Sequence, residues 1–508
     1  MVNIRHDFKE RKIMKKSIPK AHSVKLNFVM SAILRMSAFI FPLITFPYVS
    51  RILGAEGNGK ITFATSVVSY FSMFAQLGIP TYGIRACAAC RDNPQKLNKT
   101  VQELLLLNSI TVIISYFAFA ICILTVPRLQ ETKSLLIISS TSILLSAIGM
   151  EWLFQALEQY SYITIRNLLF KVISILLMFC FVHKPEDYIV YGAINVIGTC
   201  GSNIFNAIYA GRFLDRKPIG NYDLKRHIKP ILNFFMLTVS ISVYTSMDSV
   251  MLGFMSSDAE VGYYAAATKM KTIVVSTVTA LGTVLLPRMS NFIAQSKMDD
   301  FYRMIKKSFN FIFIVAISTA VFCMVTSKSM ILFLAGTGYA PAIAPMQIIS
   351  WTIIFIALSN ITGMQVLVPT GREKYTTIST IYGAVVNLIV NAITIPQYGA
   401  VGAAIGTVVA EFTVLAVQIV YLRTELLQML KGIQYVKIIA ALILSLLVLV
   451  IFNRFVIVQN LFLNICVSAV VYFGVYFIAL LLAKEKLVYQ YYEQYKKKAV
   501  KLIKKVRK

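Results

Sequence analysis

The chain has 508 residues, 57% hydrophobic and 14% charged, with a mean hydropathy of +0.71. A soluble globular chain carries about 25% charged residues, so the composition excludes a soluble protein and implies an integral membrane protein with room for about a dozen spans. The formal net charge of +28 would suit nucleic acid, but it sits on loops and tails without a helix-turn-helix or RNP pattern, and no nucleic-acid partner is expected.

Residues 1–24 form a basic tail. The apolar stretch after it is too long for a signal-peptide core and lacks a small-residue cleavage pattern, so it reads as a retained first span. Fourteen spans are expected, near 25–50, 60–79, 101–126, 134–157, 160–183, 187–210, 231–255, 262–287, 308–334, 344–369, 376–396, 400–424, 435–453 and 461–483. Lys and Arg crowd into alternate loops: the N-tail, 80–100, 211–230, 288–307 and the C-tail. That alternation places both termini in the cytoplasm and makes the span number even. The expected location is a plasma membrane, crossed many times.

Cys87 and Cys90 form a lone CxxC without His partners. They read as reduced, unligated thiols in a cytosolic loop rather than a zinc site. No loop is long enough for a catalytic domain, and no HExxH, P-loop, GxSxG or DxD pattern occurs. No enzyme, catalytic residue, metal ligand or cofactor is expected.

The chain echoes itself after about 200 residues. SRILGAEGNGKITFA (50–64) resembles SVMLGFMSSDAEVGYYAA (249–266): Leu53-Gly54 matches Leu252-Gly253, and Gly59 matches Gly262. Leu77-Gly78 then matches Leu281-Gly282. Two six-span lobes of like topology fit a transporter. The expected organisation is a tail (1–24), a first lobe (25–230), a second lobe (231–430), two extra spans (431–483) and a basic tail (484–508).

Polar side chains recur at helical spacing in the echoed spans. Thr62, Thr65, Ser69, Ser72 and Gln76 share one face of span 2. Thr268, Thr272, Ser276, Thr279 and Thr283 do so on span 8, and Thr238, Ser242, Thr245 and Ser249 on span 7. Such stripes serve helix packing in many membrane proteins. Three of them on matching spans favour a hydrated path.

A few charges interrupt apolar runs. Arg35, Lys171 and Glu411 lie near mid-depth in spans 1, 5 and 12, and Asp248 in span 7 lies at about the depth of Lys269 in span 8. Lys269 falls closer to the span 8 stripe than Lys271 does. Arg166 is close enough to a span end to snorkel. Asp248 is expected to pair with Lys269 as a gate, in preference to serving as a proton site; Glu411 shares this coupling role. The cation excess suits an anionic cargo.

These residues also carry a resemblance. FPLITFPYVSRILGAEGNGKITFATSVVSYF with LGIPTYGIR, then DSVMLG, VGYYAAATK, LGTVLLPRMS, GMQVLVPTGREK and VNLIVNAITIPQYGAVGAAIGTVVAE are similar to Wzx-type polysaccharide flippases, relatives of the MATE exporters and lipid II flippases. The resemblance covers most of 25–425. It implies an all-α, two-lobed, MATE-like V-shaped transporter that moves undecaprenyl-pyrophosphate-linked oligosaccharide for O-antigen or capsule. It further implies a cationic cavity formed largely by spans 1, 2, 7 and 8. Arg51 resembles an arginine common after span 1, where a helix-end role is as reasonable as a substrate role. Membrane lipids, a polysaccharide polymerase and chain-length machinery are the partners to be expected, and a proton or sodium gradient the energy source. The rivals are a MATE-type drug/cation antiporter, which would want an acidic lumen, and a membrane-embedded glycan polymerase, which would want a long external catalytic loop.

Overall fold

The computed structural model describes residues 23–506 apart from 216 and 457, with backbone alone at 24, 39, 237, 240–245, 277, 280–284, 495 and 498–506. Every regular element among the described residues is helical. The first part comprises α1 (Val24–Gln76), α2 (Ile79–Ala88), α3 (Pro94–Thr125), α4 (Pro127–Glu131), α5 (Lys133–Gly149), α6 (Glu151–Ala156), α7 (Tyr160–Phe181), α8 (Tyr188–Val196) and α9 (Asn203–Phe213). Then follow α10 (Lys225–Met255), α11 (Asp258–Ala294), α12 (Met298–Ala335), α13 (Ile343–Ile349), α14 (Thr352–Asn360) and α15 (Glu373–Tyr421). The chain ends with α16 (Arg423–Leu430), α17 (Tyr435–Phe455), α18 (Leu461–Leu482) and α19 (Lys486–Val506).

Nine helical stretches among the described residues are long and apolar enough to cross a membrane. Two are long enough to cross twice at about 20 residues a crossing: Lys25–Ala88 has 64 residues and Glu373–Tyr421 has 49. The first turns at Leu77-Gly78 between α1 and α2; within α1, and within the second stretch, one glycine with positive φ makes a bend, Gly54 (φ 66°) and Gly399 (φ 52°). Only glycine adopts that conformation without strain. At Gly399 a Cβ would also lie 2.4 Å from Glu260 Oε2, so the Glu260 side chain would have to shift to admit one. That carboxylate accepts from the backbone N–H of Ala400 at 2.6 Å and so caps the helix that restarts there.

Two expected spans are not plain α-helices. The 187–210 run contains a π-helical turn at Ile197–Gly201, and the 344–369 run ends in one at Ile361–Leu367. Periodicity of polarity does not register a π-turn, which adds one residue to a helical turn and leaves the apolar run unbroken.

Contacts divide the chain into two compact units. One contains the residues up to Leu53 and Lys60–Ser246; the other contains Gly54–Gly59 and Met247 onward, including α17 to α19. In the first unit, α2, α3, α6 and α9 share a core of Ile79, Leu104, Trp152, Phe154 and Phe213. The connection after α9 is fastened to α3. Gln102 donates to the carbonyls of Asp215 and Lys217, and the buried Glu103 accepts from the N–H of Asp223 and ion-pairs with Arg226. In the second unit, α12, α17 and α18 enclose Ile314, Ile438, Ala441, Tyr476 and Leu480.

The sequence echo has a structural counterpart in the second unit. A Cβ on Gly59 would lie 1.6 Å from the Asp258 carbonyl oxygen and 3.1 Å from the Gly262 nitrogen. One on Gly262 would lie 2.1 Å from the Ala55 carbonyl oxygen. The matching glycines of the two repeats thus let two backbones touch. Tyr339, fully buried, secures this segment by donating to the Gly54 carbonyl at 2.9 Å while accepting from Asn58 Nδ2 at 2.6 Å.

Candidate functional site

In the second unit, Asp248 on α10 is buried, with 5% of its surface exposed. Its Oδ1 accepts from Asn387 Nδ2 at 3.0 Å and from Asn391 Nδ2 at 2.6 Å, both on α15. Its Oδ2 meets the Thr407 hydroxyl at 2.8 Å and accepts a short hydrogen bond from the Tyr264 hydroxyl. Three helices therefore converge on one carboxylate. All four partners are neutral, and Lys269 is not among them. The expected Asp248–Lys269 ion pair is not what satisfies the acid; amides and hydroxyls do so. Depth along a helix, which suggested the pair, says nothing of azimuth.

The surrounding oxygens are distinctive. Asn391 gives both amide protons, to Asp248 and to Asn387 Oδ1 at 3.2 Å, while its own buried Oδ1 has no hydrogen-bond partner. A Cβ on Gly406 would lie 1.9 Å from that oxygen. Thr407 Oγ1 lies within donating distance of both Asp248 Oδ2, 2.8 Å, and the Ala403 carbonyl, 2.9 Å, and its single proton serves one of them at a time. Among the described residues, a carboxylate with only neutral partners, an amide oxygen without a hydrogen-bond partner, a hydroxyl and a backbone carbonyl are oxygens of the kind that can hold a small cation or a proton. Glu411, also buried, lies one turn beyond Thr407 on the same face.

The expected cations lie in different settings. Arg35 is exposed on the first half of α1. Lys171 on α7 donates to Ser37 Oγ at 2.8 Å and sits 5.4 Å above the ring of Phe41, so it is engaged with α1. Lys269 is half-buried on α11. Arg51 donates to the Pro47 carbonyl at 2.6 Å, one turn back, at the helix end before Gly54. Arg166 does not snorkel: it is buried, paired with Glu151 at 3.2 Å and 5.6 Å from the Tyr162 ring centre.

The polar stripes bond within their own helices. Thr65, Ser69, Thr272, Ser276 and Thr279 donate to carbonyls three or four residues back, and Gln76 donates to Ser72 Oγ. Thr62 and Ser249 are half-buried. Ser242, Thr245 and Thr283 lie outside the described side chains. Hydroxyls that donate in this way keep a lone pair for solvent, ligand or a neighbouring helix.

Residues 24–293, more than half of the chain, match the model of a family described as polysaccharide biosynthesis protein. The chain belongs to this family. Among curated relatives, an Escherichia coli (strain K12) protein provisionally named an O-antigen transporter is 22% identical over 79% of this chain and 97% of its own length. A Shigella dysenteriae protein of the same name is 27% identical over 76% of this chain and 97% of its own. Among solved structures, lipid II flippase MurJ in an inward closed conformation aligns with TM-score 0.71 at 16% identity, over 91% of this chain and all of MurJ. An inward-facing MATE multidrug-resistance transporter of the MOP superfamily aligns with TM-score 0.56 at 13% identity, over 80% of this chain and 99% of its own. This member of the polysaccharide biosynthesis family is thus a multi-pass membrane protein that shares the fold of these two solved transporters.

Proposed function

We propose that this family member is a flippase for polyprenyl-diphosphate-linked oligosaccharide in the bacterial plasma membrane, with both termini cytoplasmic, and that a monovalent cation held at Asp248 drives it. The flippase reading rests on family membership over 24–293 and on the cation excess of the apolar spans. The coupling reading rests on one observation, a buried carboxylate whose partners are all neutral, beside an amide oxygen without a partner.

The chemistry is binding and reorientation. Arg35 and Lys269 offer charge-assisted hydrogen bonds to a diphosphate. Thr62, Thr65, Ser69, Ser72 and Gln76 on α1, with Thr272, Ser276 and Thr279 on α11, offer hydroxyl and amide contacts that accept varied sugars. The polyprenyl tail stays in lipid, and no covalent bond is made or broken. Lys171 holds α7 against α1 through Ser37 and Phe41 and contributes positive charge from there. Neutralising Asp248 with a cation offsets the cost of burying a charge among neutral partners, which biases whichever conformation closes the site.

The deciding experiment is complementation of a bacterium lacking its own flippase, with lipid-linked intermediates measured in each leaflet. Accumulation in the inner leaflet alone would reject the flippase reading. Translocation unaffected by collapse of both the sodium and the proton gradients would reject the coupling reading and leave the first intact.

A further inference from the structure

The most basic element of the chain has no role in the transport scheme above. Helix α18 has 22 apolar-rich residues, about 33 Å at 1.5 Å each, which matches the hydrocarbon core of a bilayer. It ends at Leu482, and α19 begins at Lys486. The intervening turn is built, not loose. Lys484 takes a left-handed conformation (φ 50°). Glu485 is fully buried: its Oε2 accepts from the N–H groups of Leu487 and Val488, both at 2.9 Å, and its Oε1 from Asn310 Nδ2 at 2.9 Å. Lys437 Nζ donates to the Lys484 carbonyl at 3.1 Å, and Gln434 Oε1 accepts from the Lys486 N–H at 3.2 Å. Leu487 packs with Ile314, Ile438 and Leu480. The start of α19 is therefore fastened to α12 and α17 at the depth where a bilayer gives way to headgroups.

Beyond that anchor the helix divides by chemistry. At 100° per residue, Val488, Tyr491, Tyr492, Tyr495, Leu502 and Val506 fall within about 60° of one line. Lys496 and Lys498 flank that face at about 80° on either side, and Lys497, Lys501, Lys504 and Lys505 lie further round. Glu493 is the only acid in the helix. Tyr491 and Tyr492 are 51% and 44% exposed, so these two rings are not covered by the rest of the chain.

We infer that α19 is an interfacial membrane helix whose occupant is the anionic phospholipid of the cytoplasmic leaflet. The charge of the helix decides the partner: a uniformly basic rim around a tyrosine-rich face complements acidic headgroups over acyl chains. Tyrosine rings sit at that boundary, lysine stems reach along it, and clustered lysines attract the anionic leaflet.

The test uses the purified full chain with its native cysteines replaced by serine and a nitroxide at position 492 or 497. It is reconstituted in phosphatidylcholine vesicles with or without phosphatidylglycerol. The expected result with phosphatidylglycerol is a label at 492 that meets oxygen several-fold more than a water-soluble nickel complex, and a label at 497 with the reverse preference. High salt, or Lys496→Gln, Lys497→Gln, Lys498→Gln and Lys501→Gln together, should return 492 to water; replacing chloride by phosphate at equal ionic strength should not. Equal water access at 492 and 497 with phosphatidylglycerol present would overturn the inference. So would shielding of both labels in detergent without lipid, which would assign the face to protein. If the cysteine replacements abolish folding, native mass spectrometry of the wild-type chain and of a chain ending at Gln494 decides. Several-fold loss of retained phosphatidylglycerol supports the inference, and equal retention rejects it.

Discussion

Asn391 donates to Asp248 at 2.6 Å while its own side-chain oxygen faces the bare Cα of Gly406. The two contacts fix the amide: one face serves the acid and the other is left without a donor. Gly406 is helical, and its role is to make room for the Asn391 oxygen rather than to bend the backbone.

Gly406→Ala separates propensity from site geometry. In a helix interior this change ordinarily stabilises by about 1 kcal/mol. Here the new Cβ would lie 1.9 Å from Asn391 Oδ1. The expected outcome is a lower Tm by thermal unfolding in detergent and reduced polysaccharide export. A raised Tm with normal export would show that the amide oxygen need not stay where it is.

Asp248→Asn tests the carboxylate. Asn387 and Asn391 can only donate to it from Nδ2, but the hydroxyls of Tyr264 and Thr407 can turn and accept. The variant should therefore fold, at a cost near the lower end of the roughly 1–3 kcal/mol for a disturbed buried hydrogen bond. Export should fall at least tenfold and lose its dependence on sodium or on pH, whichever the wild type shows. Gradient dependence retained in a folded Asp248→Asn protein would move the coupling site elsewhere.

Arg35→Ala and Lys269→Ala should each reduce surface polysaccharide at unchanged protein level. Arg35→Lys should be milder, because it keeps the charge and loses only the bidentate fork. Export assayed beside membrane immunoblots checks this. Full export in both alanine variants would remove the cationic path from the mechanism.

The sequence made the fold legible where hydrophobic runs and glycine punctuation carry it. The apolar runs fall on helices, and the gaps left between the expected spans at 51–59 and 397–399 hold the bends at Gly54 and Gly399. The Gly59–Gly262 echo proved to be a physical contact. The site was legible only in part. Asp248 stood out as a charge in an apolar run, but its partners are neutral. Asn387 and Asn391, at i and i+4 in VNLIVNA, carried the signal: two amides on one face of an otherwise apolar helix. A search for charges passes over them. The Glu151 partner of Arg166 was hidden because it starts a new short helix after Met150 in a left-handed conformation, where no periodicity connects it to α7.

Thiol labelling of intact cells tests the orientation, and burial adds a pH signature. Single cysteines placed in 128–133 or 256–260 should react with an impermeant maleimide from outside, and ones placed in 211–230 should not. Cys87 should resist even after the membrane is opened. It is fully buried; Cys90 stays half-exposed, and burial pushes its thiol up. The thiolate is the reactive form, so a raised pKa leaves little of it at neutral pH and more as pH rises. In opened membranes Cys90 should label slowly at pH 7 and faster at pH 9, with Cys87 behind it at both. Labelling of 211–230 positions in intact cells would invert the topology, and with it the assignment of α19 to the cytoplasmic leaflet.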